Sequence, residues 1–331
     1  MERKKSPMEK KVKSKILIVG GTGFIGYHLA KKCLTLGWKV TSFSIKKPKS
    51  LRKLKKVKYL TGNLNSKSSL KKINKEFDYV VNLGGYVDHK NKLDNYNTHF
   101  LGCKNLVKIF SDKKIKLFLQ IGSGAEYENI KSPHKEHFHC NPKSIYGRPK
   151  YLATNYLIKE FKKNNFPCTV VRLYQVYGKG QDTNRIIPFI INSCLTDKIF
   201  PCSEGKQLRD FIDIDQVINA MEKILKSKKV LGEIINIGSG KPIKVRSVIE
   251  RINSLVKKGK PEFGKIAMRK EEFIKFYPDV NKAKKLLGWK PKKNFIKSLS
   301  STISFEKKLL REKNKLHENK KNFNNGFTWI R

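Results

Sequence analysis

Acidic residues are scarce in this chain. Asp and Glu number 27 against 73 Lys and Arg among 331 residues, which gives a formal net charge of +46. An excess of this kind is typical of proteins that bind polyanions. The basic residues, however, are spread along the whole sequence and accompany no recognisable nucleic-acid-binding motif. We therefore interpret them as a solvated surface that also suits anionic small substrates, and we predict no nucleic-acid partner.

Long hydrophobic runs are missing as well. No apolar run reaches the length of a membrane span, and the basic N-terminal stretch MERKKSPMEKKVKSK lacks the apolar centre of a secretory signal. We expect residues 1–14 to form a basic disordered tail, and we expect the protein to be cytoplasmic with no membrane partner. Shorter apolar runs recur at regular spacing, which is typical of a folded chain.

Cysteine pairs at the spacing of metal or redox motifs are also lacking. The six cysteines form no CxxC, which fits a reducing compartment. One stretch, PHKEHFHC at 133–140, does hold four side chains of the types that bind zinc: His134, His137, His139 and Cys140. No second ligand cluster accompanies it. We interpret it as a polar loop and predict no metal, with a zinc site as the alternative.

Short apolar runs alternate with amphipathic stretches through the first half of the chain. The predicted strands are KILIVGG, KVTSFSI, VKYLTG, YVVNLGG, IKLFLQIGS and CTVVRLYQVYG at 168–178. This alternation predicts an α/β fold with a doubly wound parallel sheet, a Rossmann domain, over residues 15–178. The shorter elements of 179–300, including single strands at LRDFIDI and EIINIGSG, predict a smaller α/β substrate lobe, parts of which can return to the Rossmann core. Residues 301–331 predict a charged helix and tail.

The stretch GGTGFIG follows the first predicted strand directly and opens a helix. Gly20, Gly23 and Gly26 stand at GxxGxxG spacing. The first two glycines allow a tight turn and a close approach of the backbone to a pyrophosphate, and the third allows close helix packing. The helix N-terminus supplies amide donors for phosphate. This strand-turn-helix context predicts dinucleotide binding.

The end of the second predicted strand indicates which dinucleotide is bound. A carboxylate there usually holds the ribose hydroxyls of NAD, whereas basic residues accept the extra phosphate of NADP. The sequence has Ser44 where the acid is expected, followed by Lys46 and Lys47. We therefore predict a preference for NADP(H), with NAD(H) also possible.

Tyr146 and Lys150 stand four residues apart in SIYGRPKYLA and share one face of a predicted helix. Pro149 lies between them, and proline is comfortable only in the first turn of a helix. Together with the glycine loop, IGSGAEY and RDFIDIDQV, this pair resembles the extended short-chain dehydrogenase/reductase family, specifically its NAD(P)-dependent nucleotide-sugar epimerases, dehydratases and reductases. The resemblance runs from about Lys15 to Pro291.

The resemblance implies roles for individual residues. It implies that Tyr146 is the catalytic acid/base, that Lys150 holds the nicotinamide ribose and favours the phenolate, and that Ser123 hydrogen-bonds the reacting sugar oxygen. Besides the glycine loop, Ser44 and Lys46, the cofactor contacts it implies come from Phe24, Ile25, Asn63, Leu64, Leu83, Gly84, Tyr146 and Lys150. On the substrate side it implies Arg209 for the pyrophosphate, Arg269 for a phosphate or ribose, Arg185 for the base, and Gln175 where relatives carry asparagine. His99 also stands where relatives carry an asparagine, and we interpret it as a structural residue.

The residues after Ser123 argue against one of the reactions known in this family, the dehydration of a sugar. The sugar 4,6-dehydratases of this family carry an Asp-Glu pair directly after the hydroxyl residue, whereas this chain has Gly124 and Ala125 after Ser123. Epimerases of this family usually recycle a tightly held NAD, so the NADP(H) preference favours reduction of a nucleotide-linked 4-keto(-6-deoxy) sugar. The resemblance also implies a homodimer. A nucleotide-sugar 4-epimerase with retained NAD is the alternative. A non-catalytic RNA-binding or regulatory member is a further one, although such proteins tend to lose the serine, tyrosine or lysine that this chain keeps.

Overall fold

The computed structural model describes residues 13–73, 76–85, 91–268, 273–292 and 294–325. Seven of their strands form one parallel sheet in the order β11-β6-β5-β4-β1-β2-β3. These strands are β1 (Lys15–Val19), β2 (Lys39–Ser44), β3 (Val57–Thr61), β4 (Tyr79–Asn82), β5 (Leu117–Ser123), β6 (Cys168–Leu173) and β11 (Ile234–Ile237). The order reverses between β1 and β4, as in a doubly wound Rossmann sheet. The predicted fold class is therefore confirmed.

Helices cover both faces of this sheet because its strands are apolar on both sides. Along β1, Ile16 and Ile18 belong to one buried cluster while Leu17 and Val19 belong to another, as the alternation of side chains along a strand requires. The helices of the described residues are α1 (Phe24–Thr35), α2 (Lys67–Leu70), α3 (Lys92–Tyr96), α4 (Gly102–Phe110), α5 (Gly147–Asn164), α6 (Ile186–Leu195), α7 (Ile214–Leu225), α8 (Val245–Val256), α9 (Asn281–Leu287) and α10 (Phe295–Asn325).

The predicted strand at 168–178 is wrong in one respect. It divides at Tyr174 into β6 and β7 (Gln175–Tyr177), and β7 leaves the main sheet to pair in parallel with β10 (Phe211–Asp213). The single strand predicted at LRDFIDI likewise divides at Asp210 into β9 (Leu208–Arg209) and β10. A continuous strand-like pattern in the sequence does not indicate that its two halves hydrogen-bond to different partners.

The second half of the chain builds a third buried cluster, formed mainly by α6, α8 and the start of α10. The remaining short strands are β8 (Ile199–Pro201), β12 (Ile243–Lys244), β13 (Lys260–Glu262) and β14 (Lys275–Phe276). Strand β11 returns to the main sheet beside β6, and α10 crosses position 300. The division into a Rossmann domain, a substrate lobe and a charged helix stays a prediction, and most of the expected N-terminal tail lies outside the described residues.

None of the helices in the described part of the chain combines the length and the apolar character that crossing a lipid bilayer requires.

Candidate functional site

The candidate site lies at the carboxyl edge of the sheet, where β1 and β4 diverge. Open α/β sheets bind ligands at such a topological switch point. The glycine loop follows β1, and α1 begins at Phe24 with Gly23 as its N-cap. Phe24 and Ile25 occupy the first turn of that helix and are half-buried. The predicted phosphate-binding elements therefore lie together at this edge.

Gly20 shows why this loop requires glycine. Its φ is +76°, a conformation that other residues rarely adopt. A Cβ on Gly20 would lie 2.8 Å from the carbonyl oxygen of Leu83 and 3.1 Å from the nitrogen of Gly84. The loop thus packs directly on the segment after β4, and the two backbones that are expected to hold a dinucleotide are in contact.

Asn82, which the sequence did not single out, orients the segment after β4. Its Oδ1 accepts a hydrogen bond from the amide of Gly84 at 3.1 Å, and its Nδ2 donates to Oε1 of Gln120 at 2.8 Å. Leu83 and Gly84 are half-buried. Leu64 is buried and lies close to Gly84, whereas Asn63 is exposed. The sequence signal that could have identified this interaction is a pair of polar residues on two neighbouring buried strands.

Ser44 ends β2 beside the glycine loop. Its side chain is buried, and Oγ accepts a hydrogen bond from the amide of Thr22 at 3.4 Å. Lys46 and Lys47 follow and are exposed. The end of β2 therefore presents a hydroxyl bonded to the loop, with two cationic side chains beyond it.

Tyr146 and Lys150 lie at the start of α5. The helix begins at Gly147, whose amide donates to Oγ of Ser144 at 3.1 Å. Pro149 is consequently the third helical residue, where the N–H it lacks would have no helical acceptor. Lys150 is buried, and its Nζ lies 5.8 Å from the centroid of the Tyr146 ring. Proline thus leaves the two side chains adjacent.

Lys150 connects this helix to the strand that carries Ser123. Its Nζ donates to the carbonyl oxygen of Ile121 at 2.8 Å, two residues before Ser123 at the end of β5. Ser123 is half-buried, and its Oγ accepts a hydrogen bond from the amide of Ala125 at 3.1 Å. The three predicted catalytic residues therefore converge at the carboxyl end of β5.

His99 also packs against Tyr146. The two rings meet edge to face, with centroids 5.2 Å apart, and the imidazole is buried. His99 belongs to a π-helical turn, Asn97–Leu101, between α3 and α4. Such turns are frequent at functional sites because they redirect side chains. His99 fills the space beside Tyr146 where the resemblance implied a smaller asparagine.

Gly124 and the aromatic rings beside it explain the absence of a carboxylate after Ser123. A Cβ on Gly124 would lie 2.9 Å from Cε1 of Tyr174 and 3.0 Å from Cζ of Phe276. The two rings pack on each other with centroids 5.4 Å apart. An acidic side chain at position 124 would collide with them, so this site has no acid there for removing water from a sugar.

The predicted substrate residues are distributed unequally. Arg209 is buried on β9 and donates through Nη1 to the carbonyls of Leu208 at 2.8 Å and Phe273 at 2.7 Å, with its guanidinium carbon 5.9 Å from the centroid of the Phe276 ring. It therefore lies beside the aromatic rings next to Ser123. Gln175 and Arg185 are exposed, at the start of β7 and the N-cap of α6. Arg269 lies outside the described residues.

A buried ionic cluster behind Ser123 was not predicted. Glu126 and Arg172 are both almost fully buried and form a salt bridge of 2.8 Å. Burial alone would lower the pKa of Arg172, but the Glu126 carboxylate beside it raises that pKa overall. The signal in the sequence is the arginine inside the otherwise apolar strand CTVVRL, because a buried cation requires an anionic partner.

The loop that contains His134 is a structural junction and not the polar loop that the sequence suggested. His134 is fully buried, with Nδ1 2.9 Å from the hydroxyl of Tyr174 and Nε2 3.0 Å from the carbonyl of Ile130. Its backbone bonds to Tyr277 and Asp279, which fixes β14 near Ser123. Among the residues that the structure describes, no three metal-binding side chains lie together, and His137 and His139 are exposed.

This junction predicts a pH-dependent stability. Burial lowers the pKa of His134 to about 4 from its usual 6.5, so between these values the unfolded chain binds a proton that the folded chain does not. The free energy of unfolding should fall as pH decreases, and His134 should contribute a loss of about 2 kcal/mol between pH 7.5 and pH 5. Urea unfolding at both pH values should show that much less loss in His134→Gln. Equal losses in the two proteins would contradict the assignment.

This chain is similar to known proteins over most of its length. The NAD dependent epimerase/dehydratase family model matches residues 16–238. A putative UDP-glucose 4-epimerase of Methanocaldococcus jannaschii is 27% identical over 307 residues, covering 88% of this chain and 98% of the relative. A CDP-abequose synthase of Salmonella muenchen is 25% identical over 308 residues, covering 89% and 99%.

A solved structure shares the fold. The UDP-glucuronic acid 4-epimerase from Bacillus cereus, in complex with UDP-glucuronic acid and NAD, superposes with a TM-score of 0.78 at 24% identity, covering 89% of this chain and 99% of that one. The family match includes β1, the glycine loop, Ser123, Tyr146, Lys150 and the strands up to β11. The chain belongs to the NAD dependent epimerase/dehydratase family of enzymes.

Proposed function

We propose that this protein uses NADPH to reduce a nucleotide-linked 4-keto sugar, most specifically a 4-keto-6-deoxy sugar. Tyr146 would donate the proton to the carbonyl oxygen of the sugar, and NADPH, when bound, would supply the hydride. Lys150 holds the nicotinamide ribose and favours the phenolate form that follows proton donation. Ser123 hydrogen-bonds the same sugar oxygen, and Arg209 binds the pyrophosphate of the substrate through charge-assisted hydrogen bonds.

The convergence of Tyr146, Lys150 and Ser123 beside the glycine loop is the observation that supports this proposal. Lys150 bonds to Ile121 on the strand that ends at Ser123, while its Nζ also faces the Tyr146 ring. These two contacts support a proton donor at Tyr146 near the hydroxyl of Ser123, at the edge where a nicotinamide would lie. Position 124 has no acid, and the rings beside it leave no room for one, which disfavours dehydration.

The cofactor preference rests on the end of β2. No carboxylate stands at Ser44, and Lys46 and Lys47 are exposed just beyond it, where they suit the extra phosphate of NADPH. NAD, which is bound in the solved Bacillus cereus relative, is the alternative cofactor.

Replacing both lysines should weaken NADPH binding selectively. We expect the Lys46→Ala/Lys47→Ala variant to lose about 10- to 100-fold in affinity for NADPH, because two charge-assisted phosphate contacts disappear. Its affinity for NADH should change little. Cofactor fluorescence titration measures both values, with Lys39→Ala at the opposite end of β2 as the matched control. Equal affinity of the unmodified protein for the two cofactors would contradict the preference.

An epimerase is the second candidate function, since the Methanocaldococcus relative carries that name. It would retain its NAD and return the hydride to the opposite face of the sugar.

We also propose a homodimer, in which exposed apolar residues of α3, namely Leu93 and Tyr96, pack against the partner.

The experiment that tests the function mixes the purified protein with NADPH and a panel of nucleotide-linked 4-keto-6-deoxy sugars. A reductase consumes one NADPH for each sugar reduced. An epimerase inverts the sugar without net consumption of cofactor.

A further inference from the structure

The carboxylate of Glu126 joins three elements behind the proposed catalytic residues. Its Oε1 accepts a hydrogen bond from the amide of Ser123 at 2.9 Å. Its Oε2 accepts from Oγ1 of Thr154 on α5 at 2.8 Å and from Nε of Arg172 on β6 at 2.8 Å. All of these groups except the Ser123 backbone belong to side chains that are almost completely buried.

These bonds connect the two parts of the proposed catalytic machinery. Thr154 lies one helical turn after Lys150 on the same face of α5. Helix α5 is therefore attached to the end of β5 at two successive turns, by Lys150 at Ile121 and by Thr154 at Glu126. The same carboxylate also holds the backbone of Ser123 itself.

From this geometry we infer that Glu126 is a positioning residue, which sets the spacing between the Ser123 hydroxyl and the Tyr146–Lys150 pair. The inference rests on the proposed function. Arg172 neutralises the buried carboxylate, and its guanidinium carbon lies 4.4 Å from the centroid of the Tyr127 ring. With its charge compensated and its position fixed from β6, Glu126 forms a rigid contact between helix and strand.

The chemistry of the contact requires a carboxylate. All three partners of Glu126 act as hydrogen-bond donors, and a carboxylate accepts through both oxygens. Glutamine has the same shape but carries one acceptor and one donor. In either orientation its NH₂ group faces the Ser123 amide or the Arg172 guanidinium, so Glu126→Gln breaks at least one of the three hydrogen bonds.

The test is steady-state kinetics of keto-sugar reduction by Glu126→Gln. We expect kcat to fall about 100-fold, because an error of about 1 Å in the placement of reacting groups has that effect. KM for the nucleotide sugar should stay within about threefold, since the pyrophosphate and base contacts lie elsewhere. Glu222→Gln, which removes a partly exposed carboxylate that pairs with Lys32 and Lys226, is the control and should keep its full kcat.

A second pair of variants covers the case in which Glu126→Gln does not fold. Thr154→Val removes only the hydrogen bond from α5 to Glu126 and leaves the Glu126–Arg172 pair intact. It should lower kcat about 10-fold with KM unchanged, and Thr154→Ser, which restores the hydroxyl, should recover kcat to within about twofold.

The outcomes separate the inference from the proposed function. An active unmodified protein whose Glu126→Gln and Thr154→Val variants keep full kcat would overturn the positioning role alone. Equal losses in Thr154→Ser and Thr154→Val would also overturn it, because the hydroxyl would then not matter. An unmodified protein that is inactive on every keto sugar would overturn the proposed function, and the positioning role with it.

Discussion

Tyr146→Phe is expected to lower kcat for keto-sugar reduction about 1,000-fold, because it removes the hydroxyl that transfers the proton and leaves the ring in place. The edge-to-face contact with His99 and the neighbouring Lys150 do not need the hydroxyl. Cofactor affinity, measured by fluorescence titration, should therefore stay within about threefold of that of the unmodified protein.

Tyr156→Phe is the matched control for this prediction. Tyr156 lies on the same helix but packs against Phe100 of the π-helical turn, away from Ser123. Its replacement should leave kcat unchanged. Retention of more than about a tenth of the activity by Tyr146→Phe would show that another group supplies the proton.

Arg172→Met is expected to lower the free energy of unfolding by about 3 to 5 kcal/mol, because it leaves the Glu126 carboxylate buried without its cation. Both side chains are at most 2% exposed, so solvent cannot replace the lost partner. Urea unfolding followed by circular dichroism measures the change. Arg246→Met, which removes the half-exposed partner of Glu250, should cost less than about 1 kcal/mol.

The double variant Glu126→Leu/Arg172→Met separates stability from activity. Replacing both members of a buried ion pair by apolar residues is often neutral or stabilising, so the double variant should recover part of the stability that Arg172→Met loses. It should remain less stable than the unmodified protein, because the Ser123 amide and the Thr154 hydroxyl lose their acceptor. Its kcat should remain low, since Ser123 and Thr154 still lack their acceptor. A double variant as unstable as Arg172→Met would contradict the account of the pair.

The parts of the molecule that local sequence determines were predicted correctly. The glycine loop, the strands of the Rossmann sheet and the helix at Tyr146 follow from apolar periodicity, glycine spacing and the tolerance of proline in a first turn. These features depend on residues that are close together in the chain. The family resemblance then identified Ser123, Tyr146 and Lys150, which the fold brings to one edge of the sheet.

The parts that depend on distant partners were missed. Glu126 is 46 residues from Arg172 and 28 from Thr154, and nothing in the local sequence connects them. Similarly, the sequence predicts only a polar loop around His134. The contacts of His134 with Tyr174 and Tyr277 join segments that are distant in the chain, so the local sequence does not reveal them. The division of 168–178 into β6 and β7 also depends on β10, which follows far along the chain.

The most direct test of the account follows NADPH absorbance while the protein acts on nucleotide-linked 4-keto-6-deoxy sugars, with Tyr146→Phe assayed in parallel. We expect NADPH to be consumed in a one-to-one ratio with the sugar reduced, and we expect the variant to show almost no consumption. Inversion of a nucleotide sugar without net consumption of cofactor would instead identify an epimerase, and would contradict the proposal that this site carries out a net reduction.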